Sequence, residues 1–170
     1  SGVILVAADG ELAGELRRQF REKRVAKIYQ AIVFGRPVPP VNVWRDVLEV
    51  VKRAGQIRTT AGTGSVRAET RMRVMRTRLG AAPLALLQLE PLTGRSHQLR
   101  VQCAKRRLPI VGDQTYGDFG RNREFAKRTG VKRMFLHSLE TRCSYEWRGR
   151  QFAFEAKAPL PDEFEAVLRG

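Results

Sequence analysis

Hydrophobic residues recur along this chain at two spacings, two and about four, and the segments so marked predict strands and helices in turn. The clearest runs from Val66 to Arg76. Val66, Ala68, Thr70, Met72 and Val74 take one side of it, and Arg67, Glu69, Arg71 and Arg73 take the other. A period of two with one wet face predicts a strand of an antiparallel sheet. Leu84 to Glu90 predicts another strand, more buried because it is rich in leucine. Lys27 to Phe34 predicts a strand covered on both faces, with Tyr29, Ala31 and Val33 on one side. Gly35-Arg36-Pro37 and Pro39-Pro40 end it. Val3 to Ala7 is a continuous apolar run and predicts a buried strand. Met134 to Trp147 and Gln151 to Ala156 predict two more strands, joined by a hairpin at Trp147-Arg148-Gly149-Arg150.

Helical spacing appears in three places. Asp9 caps the first helix, where Leu12, Leu16 and Phe20 recur every four residues with Ala13 beside them, and Arg17, Arg18, Arg21, Lys23 and Arg24 face out. A second helix starts with Ser96 as its cap and turns Leu99 and Cys103 inward, one turn apart. Pro159, Pro161 and Asp162 open a last one. Residues 41–65 lack a regular pattern, and Gly62-Thr63-Gly64-Ser65 reads as a flexible loop. Pro109 to Asp113 is a short apolar segment ending in a turn, and residues 118–130 read as a charged excursion with one helical turn. Strands outnumber helices and short turns separate them. The predicted class is therefore α+β, a mixed, largely antiparallel sheet with flanking helices. At 170 residues the chain suits a single domain, 1–170, with a core of its own.

Charge narrows the function. Lys and Arg number 32 against 17 Asp and Glu, a formal net charge of +15. Arginine dominates the basic residues, and its planar fork reads phosphate better than lysine does. The expected partner is a nucleic acid. A membrane partner is not expected, because no long basic amphipathic helix and no membrane-length apolar run stand out. The two cysteines, Cys103 and Cys143, form no CxxC pair and lie away from metal-ligand spacing with the histidines. They predict reduced core residues in the cytoplasm, and no metal site.

The chemistry concentrates in Leu92-Thr93-Gly94-Arg95-Ser96-His97-Gln98-Leu99-Arg100. A small turn pair leads into three basic side chains and an amide, between two apolar runs. Such a cluster suits phosphates and a base, and the following helix N-terminus favours anions.

That segment resembles the T-G-R-[ST]-H-Q-[IL]-R motif of the RluA-type pseudouridine synthases. Lys27-Ile28-Tyr29-Gln30-Ala31-Ile32-Val33-Phe34-Gly35 is similar to their K-x-Y-x-A-x-V-x-G strand. Ser1-Gly2-Val3-Ile4-Leu5-Val6-Ala7 looks like the tail of their R-L-D-x-x-T-S-G motif. The likeness continues through Pro109-Ile110-Val111-Gly112-Asp113, Tyr116-Gly117 and Leu136-His137, in the family's order. The related RsuA branch carries R-Q-[IV]-R-R at the place of His97-Gln98-Leu99-Arg100 and fits less well. The resemblance implies the pseudouridine synthase catalytic-domain fold with its N-terminal part missing. It implies isomerisation of uridine to pseudouridine in ribosomal or transfer RNA, by a monomer with no cofactor and no metal.

It also implies roles. Arg100 would pair with the catalytic aspartate in a dry pocket; the alternative is an ordinary phosphate contact. A paired cation lowers the cost of a buried carboxylate and keeps it ionised. Tyr29 would stack on the extruded uracil and act as a base in the last proton removal. Read without the family, it is a core tyrosine bonded to a backbone group. Arg95, His97 and Gln98 would meet RNA phosphate or ribose, with a carbonyl-bonded buried histidine the alternative for His97. Lys105 and Arg106 would bind RNA, or be a solvated helix end. His137 is expected to be structural, beneath the site.

One departure stands out. Aligned on Ser1-Gly2, the motif's aspartate falls before Ser1. None of the five aspartates, Asp9, Asp46, Asp113, Asp118 and Asp162, occupies its position. Asp113 reads as a turn residue. The chain as given is expected to be inactive and its parent active. The alternative function is a non-catalytic basic RNA-binding domain, and a weaker one a structural ribosome-associated protein.

Overall fold

A computed structural model describes residues 1–53, 56–61 and 66–169. The loop read at Gly62-Thr63-Gly64-Ser65 lies outside the described residues. In chain order the elements are α1 (Gly10–Arg21), β1 (Ala26–Phe34), β2 (Val41–Arg53), β3 (Gln56–Ala61), β4 (Val66–Arg78) and β5 (Leu84–Pro91). There follow α2 (Gln98–Lys105), α3 (Phe119–Thr129), β6 (Leu136–Trp147), β7 (Arg150–Lys157) and α4 (Asp162–Arg169). Among the described residues one seven-stranded sheet runs in the order β3-β2-β4-β5-β1-β6-β7. Every neighbouring pair is antiparallel. An isolated bridge between Gly2 and Ser138 is parallel.

β1 sits inside this sheet, and its alternation sorts residues onto two cores. Ala31 and Val33 join Trp44, Met72, Leu87, Leu89, Leu99 and Cys103, where α2 packs. Ile32 and Phe34 point the other way and meet Phe125, Phe135, Phe164 and Val167, where α3 and α4 pack. Covering both faces explains why β1 and β5 read as nearly continuous apolar runs. The predicted inward face of β4 is also found: Ala68, Thr70 and Met72 are buried.

Several expectations are corrected. Val3 to Ala7 is not a buried strand; Ile4 is 83% and Val6 88% exposed. Val3 does bond to Ser138, but β7 pairs with β6 from Glu140 onward and Ala158 takes the Leu139 carbonyl. The edge of β6 beyond Ser138 is therefore taken by β7. Residues 41–53 and 56–61, read as irregular, are the hairpin strands β2 and β3. The excursion at 118–130 is a full helix, with the Asp118 carboxylate capping Arg121 N–H and Gly130 closing it at φ 72. Phe20 is exposed and Gln19 buried in its place. Asp9 does cap α1, accepting from Leu12 N–H at 2.8 Å.

Candidate active site

The turn from β5 into α2 is tied to β4 by Leu92 N–H, which donates to the Glu69 carbonyl at 2.9 Å, and by a set of side chains. Thr93 Oγ1 accepts from Glu69 N–H at 2.9 Å and donates to Gln98 Oε1 at 2.7 Å. Gln98 Nε2 returns to the Glu69 carbonyl at 3.0 Å and to Thr70 Oγ1 at 2.9 Å. Arg95 N–H also reaches Gln98 Oε1. Both ends of the Gln98 amide are thus occupied within the protein, and the side chain is buried. A satisfied buried network of this kind rigidifies what it holds. What it holds is the segment Gly94–His97, whose residue His97 adopts a left-handed backbone, φ 54 and ψ 16, at the N-cap of α2. His97, not Ser96, is therefore the cap residue, and its own side chain makes no cap hydrogen bond. A non-glycine residue held there is a strained position of the sort that clusters at functional sites.

The same network extends away from the turn. Thr70 Oγ1 donates to Gln102 Oε1 at 2.6 Å, and Gln102 Nε2 donates to Asp46 at 2.8 Å. Asp46 is buried and also receives Lys105 at 2.8 Å and Arg106 at 2.7 Å. Arg106 lies over the Trp44 ring as well. The structure does not bring Lys105 and Arg106 to the turn with Arg95 and His97. Their charges neutralise an internal carboxylate.

Arg100, in the first turn of α2, points the other way. Its Nε and Nη2 donate to the two oxygens of Asp113, each at 2.7 Å, and its guanidinium lies 4.8 Å from the Tyr116 ring centre. Asp113 is 1% exposed and closes its own turn by accepting from Thr115 and Tyr116 N–H. Burial pushes the Asp113 carboxyl upward. The hydrogen bonds from Arg100, Tyr116 and Thr115 outweigh that and hold it below the usual carboxylate range. With so many donors on it, Asp113 is a fixed counter-ion and a poor nucleophile. The turn reading of Asp113 holds, but its grip on Arg100 was not legible in the sequence. His97 Nδ1 lies 3.0 Å from the Tyr116 hydroxyl, and burial together with Arg100 pushes its imidazole below the usual range, against the pull of Asp113.

These elements enclose a cavity of about 230 Å³ lined by Lys27, Tyr29, Gly94, Arg95, His97, Arg100 and Leu136, among others. It is smaller than the cleft of about 450 Å³ along α3. The smaller one gathers Tyr29, Arg95, His97 and Arg100. Tyr29 reaches it from β1, beside a bulge in the pairing of β1 with β6. Bulges of this kind re-aim side chains next to sites. Burial raises the Tyr29 phenol above its ordinary range, a hydrogen bond with Ser138 acting against this. The ring therefore enters the cavity as a neutral phenol.

Lys27 is the residue that sequence reasoning missed. It lines the cavity two residues before Tyr29, on the same strand. That spacing places both on one face and was the available signal. Burial holds its ammonium below the usual lysine range. It lies 5.2 Å from the Phe20 ring centre, and a side chain at Gly94 would meet its Nζ at 3.4 Å. No carboxylate pairs with it among the described residues. Lys27, Arg95 and Arg100 make the cavity wall electropositive, suited to an anionic group. Ser1 lies close by: its backbone nitrogen is 3.5 Å from the Leu136 carbonyl, and its Oγ is 3.0 Å from His137 Nδ1. His137 Nε2 lies 3.1 Å from the Ala158 carbonyl, which can only accept, so Nε2 carries the proton and Nδ1 accepts from Ser1. Buried and bonded on both nitrogens, His137 is structural, as expected.

The fold is therefore α+β, with a two-faced antiparallel sheet and a basic cavity at the T-G-R-S-H-Q-L-R turn. The RNA pseudouridylate synthase family matches residues 1–105, and the chain belongs to that family. It is 31% identical over its whole length to 51% of the ribosomal large subunit pseudouridine synthase C of Vibrio parahaemolyticus. It is 31% identical over 92% of its length to 63% of the tRNA pseudouridine synthase C of Salmonella typhi. The chain thus spans about half to two thirds of the length of these relatives. Human RNA Pseudouridylate Synthase Domain Containing 1 superposes with a TM-score of 0.69 at 26% identity, over 96% of this chain and 74% of that one. Human RNA Pseudouridylate Synthase Domain Containing 4 shares the fold, with a TM-score of 0.68 at 23% identity over 95% of this chain and 67% of that one. No helix among the described residues is long and apolar enough to cross a membrane.

Proposed function

We propose that this chain carries most of the pocket of an enzyme that isomerises uridine to pseudouridine in ribosomal or transfer RNA. In that reaction the bond from ribose C1′ to N1 breaks, the base turns, and a bond from C1′ to C5 forms. The C5 hydrogen leaves as a proton and N1 takes one up, so nothing is oxidised or reduced. Protein side chains are sufficient for this, without metal or cofactor.

The observation that carries the reading is the convergence of Lys27, Tyr29 and Arg100 on one cavity, with Arg100 fixed by Asp113. Asp113 uses the Nε–Nη2 edge of the guanidinium and leaves Nη1 without a protein acceptor among the described residues. Nη1 is available to a second carboxylate. The resemblance puts the family's aspartate just upstream of Ser1, and Ser1 bonds to Leu136, which lines the cavity. A carboxylate arriving there would meet a guanidinium already oriented and partly desolvated, which keeps it ionised. The Tyr29 ring offers a stacking surface for a base that has left its own stack. Its raised pKa supports stacking ahead of a role as base. Lys27, Arg95 and His97 line the path of the sugar and phosphates. Gln98 acts by holding their turn.

The two cysteines are unpaired and buried, and burial pushes the Cys103 thiol up to about 12, which supports inert thiols in a cytoplasmic protein. The test is release of tritium from RNA labelled at uridine C5, using the full-length protein. Release with a pseudouridine product supports the enzyme. Salt-sensitive RNA binding without release supports the binding domain instead.

A further inference from the structure

The cleft along α3 lies outside the pocket just described. Phe119, Arg123 and Lys127 are four residues apart on α3 and form a single stripe, one helical turn between neighbours. Lys132, from the segment after the helix, joins them around a cleft of about 450 Å³. Phe119 is 60% exposed although it is a large aromatic side chain. The cleft floor is apolar, supplied by Phe125, Ala126 and Val131. None of Arg123, Lys127 and Lys132 is paired with a carboxylate among the described residues. Glu124, the acidic residue of this helix, lies on its other side, in a shallow cleft with Arg121 and Arg128.

An exposed aromatic ring at the mouth of an apolar cleft, edged by three unpaired cations, is the combination that binds single-stranded nucleic acid: bases stack on the ring and phosphates meet the cations. The cleft is also joined to the pocket. Its lining includes Gly112 and Asn122. Asn122 Oδ1 accepts from Gly112 N–H at 2.8 Å, and its Nδ2 donates to the Asp113 carbonyl at 2.9 Å. Asp113 in turn holds Arg100. α3 and the pocket wall are therefore anchored through one short segment.

We infer that the α3 cleft is a second RNA-binding site, taking an unpaired base of the substrate RNA on Phe119 and its phosphates on Arg123, Lys127 and Lys132. This rests on the reading of the protein as an RNA-modifying enzyme for the identity of the strand, but its test does not depend on turnover. The full-length protein is titrated with a short fluorescein-labelled single-stranded RNA of mixed sequence, and anisotropy is read across a range of salt. Phe119→Ala is expected to weaken binding about tenfold, and Phe119→Trp to restore it. Arg123→Ser and Lys127→Ser are each expected to lower the slope of log K against log salt by about 0.7. Unchanged affinity and slope in all of these variants overturn the inference. So does loss of binding to an oligo-glutamate peptide while RNA binding stays intact, which would assign the cleft to an acidic protein partner. Tritium release by the unmodified protein is measured in parallel. If it is absent while Phe119→Ala still weakens RNA binding, the enzyme reading fails and this site stands.

Discussion

Asp113 grips Arg100 through both carboxylate oxygens, each contact at 2.7 Å, and so ties the first turn of α2 to the loop that leads into α3. The pair is almost wholly removed from solvent, with the Asp113 side chain 1% and the Arg100 side chain 16% exposed. Breaking a pair buried this way leaves an uncompensated charge and costs about 3–5 kcal/mol. Asp113→Asn keeps the oxygen that closes the turn and removes the charge. It is expected to destabilise the protein by about 3 kcal/mol in urea unfolding, and Arg100→Met by a similar amount. The double variant is expected to lose less than the sum by at least about 1 kcal/mol. Strict additivity would show that the two groups do not act as a pair.

Stability is expected to fall with acid in two windows. His97 and Asp113 both have pKa values depressed by folding. For a depressed group the unfolded chain binds the proton first, so stability rises with pH through the window and is lost as pH falls. The His97 contribution is complete above about pH 6.5 and declines below it; the Asp113 contribution declines below about pH 3.9. Urea midpoints measured across pH check this: Asp113→Asn is expected to lessen the loss in the lower window and, because Asp113 pulls the His97 imidazole up, to deepen the loss in the upper one.

Tyr29 separates ring from hydroxyl. If stacking is its main task, Tyr29→Phe leaves the affinity for substrate RNA within about twofold, whereas Tyr29→Ala weakens it about tenfold and abolishes turnover. Equal loss of affinity in the two variants would assign the binding role to the hydroxyl and its bond to Ser138.

Gly112 is fixed by geometry rather than by chemistry. Its φ is 76, and an added Cβ would lie 1.9 Å from the Arg133 carbonyl oxygen. Gly112→Ala is expected to cost at least about 3 kcal/mol of stability, because the left-handed backbone and the clash add. A urea midpoint close to that of the unmodified protein would contradict the described path of this segment.

Much of the fold was legible because its strands bury one face or two in regular alternation, as β4 and β1 do. β2 was hidden because its pattern is inverted in places. Val41 and Val47 are exposed, while Asp46 is buried, which is possible only because Gln102, Lys105 and Arg106 converge on it from α2. That convergence lies 56 residues or more away in sequence and leaves no local trace. α3 was hidden by its charge: Phe125 is the buried residue of a helix otherwise rich in Arg, Lys and Glu, although Asp118 and Gly130 mark its ends. In the site, the motif residues Tyr29, Arg95, His97 and Arg100 line one cavity. Gln98 lines it too but has its amide spent inside the protein. The partnership of Arg100 with Asp113 needed the fold, since a G-D-x-x-Y-G turn alone does not disclose what its carboxylate faces.

The central claim is that Arg100, oriented by Asp113, serves a carboxylate in the cavity that Tyr29 covers. The most direct measurement is tritium release from RNA labelled at uridine C5, comparing the full-length protein with its Arg100→Met variant. The account predicts release by the first and none above background by the second, with the variant still folded and still binding RNA. Full release by Arg100→Met would contradict it.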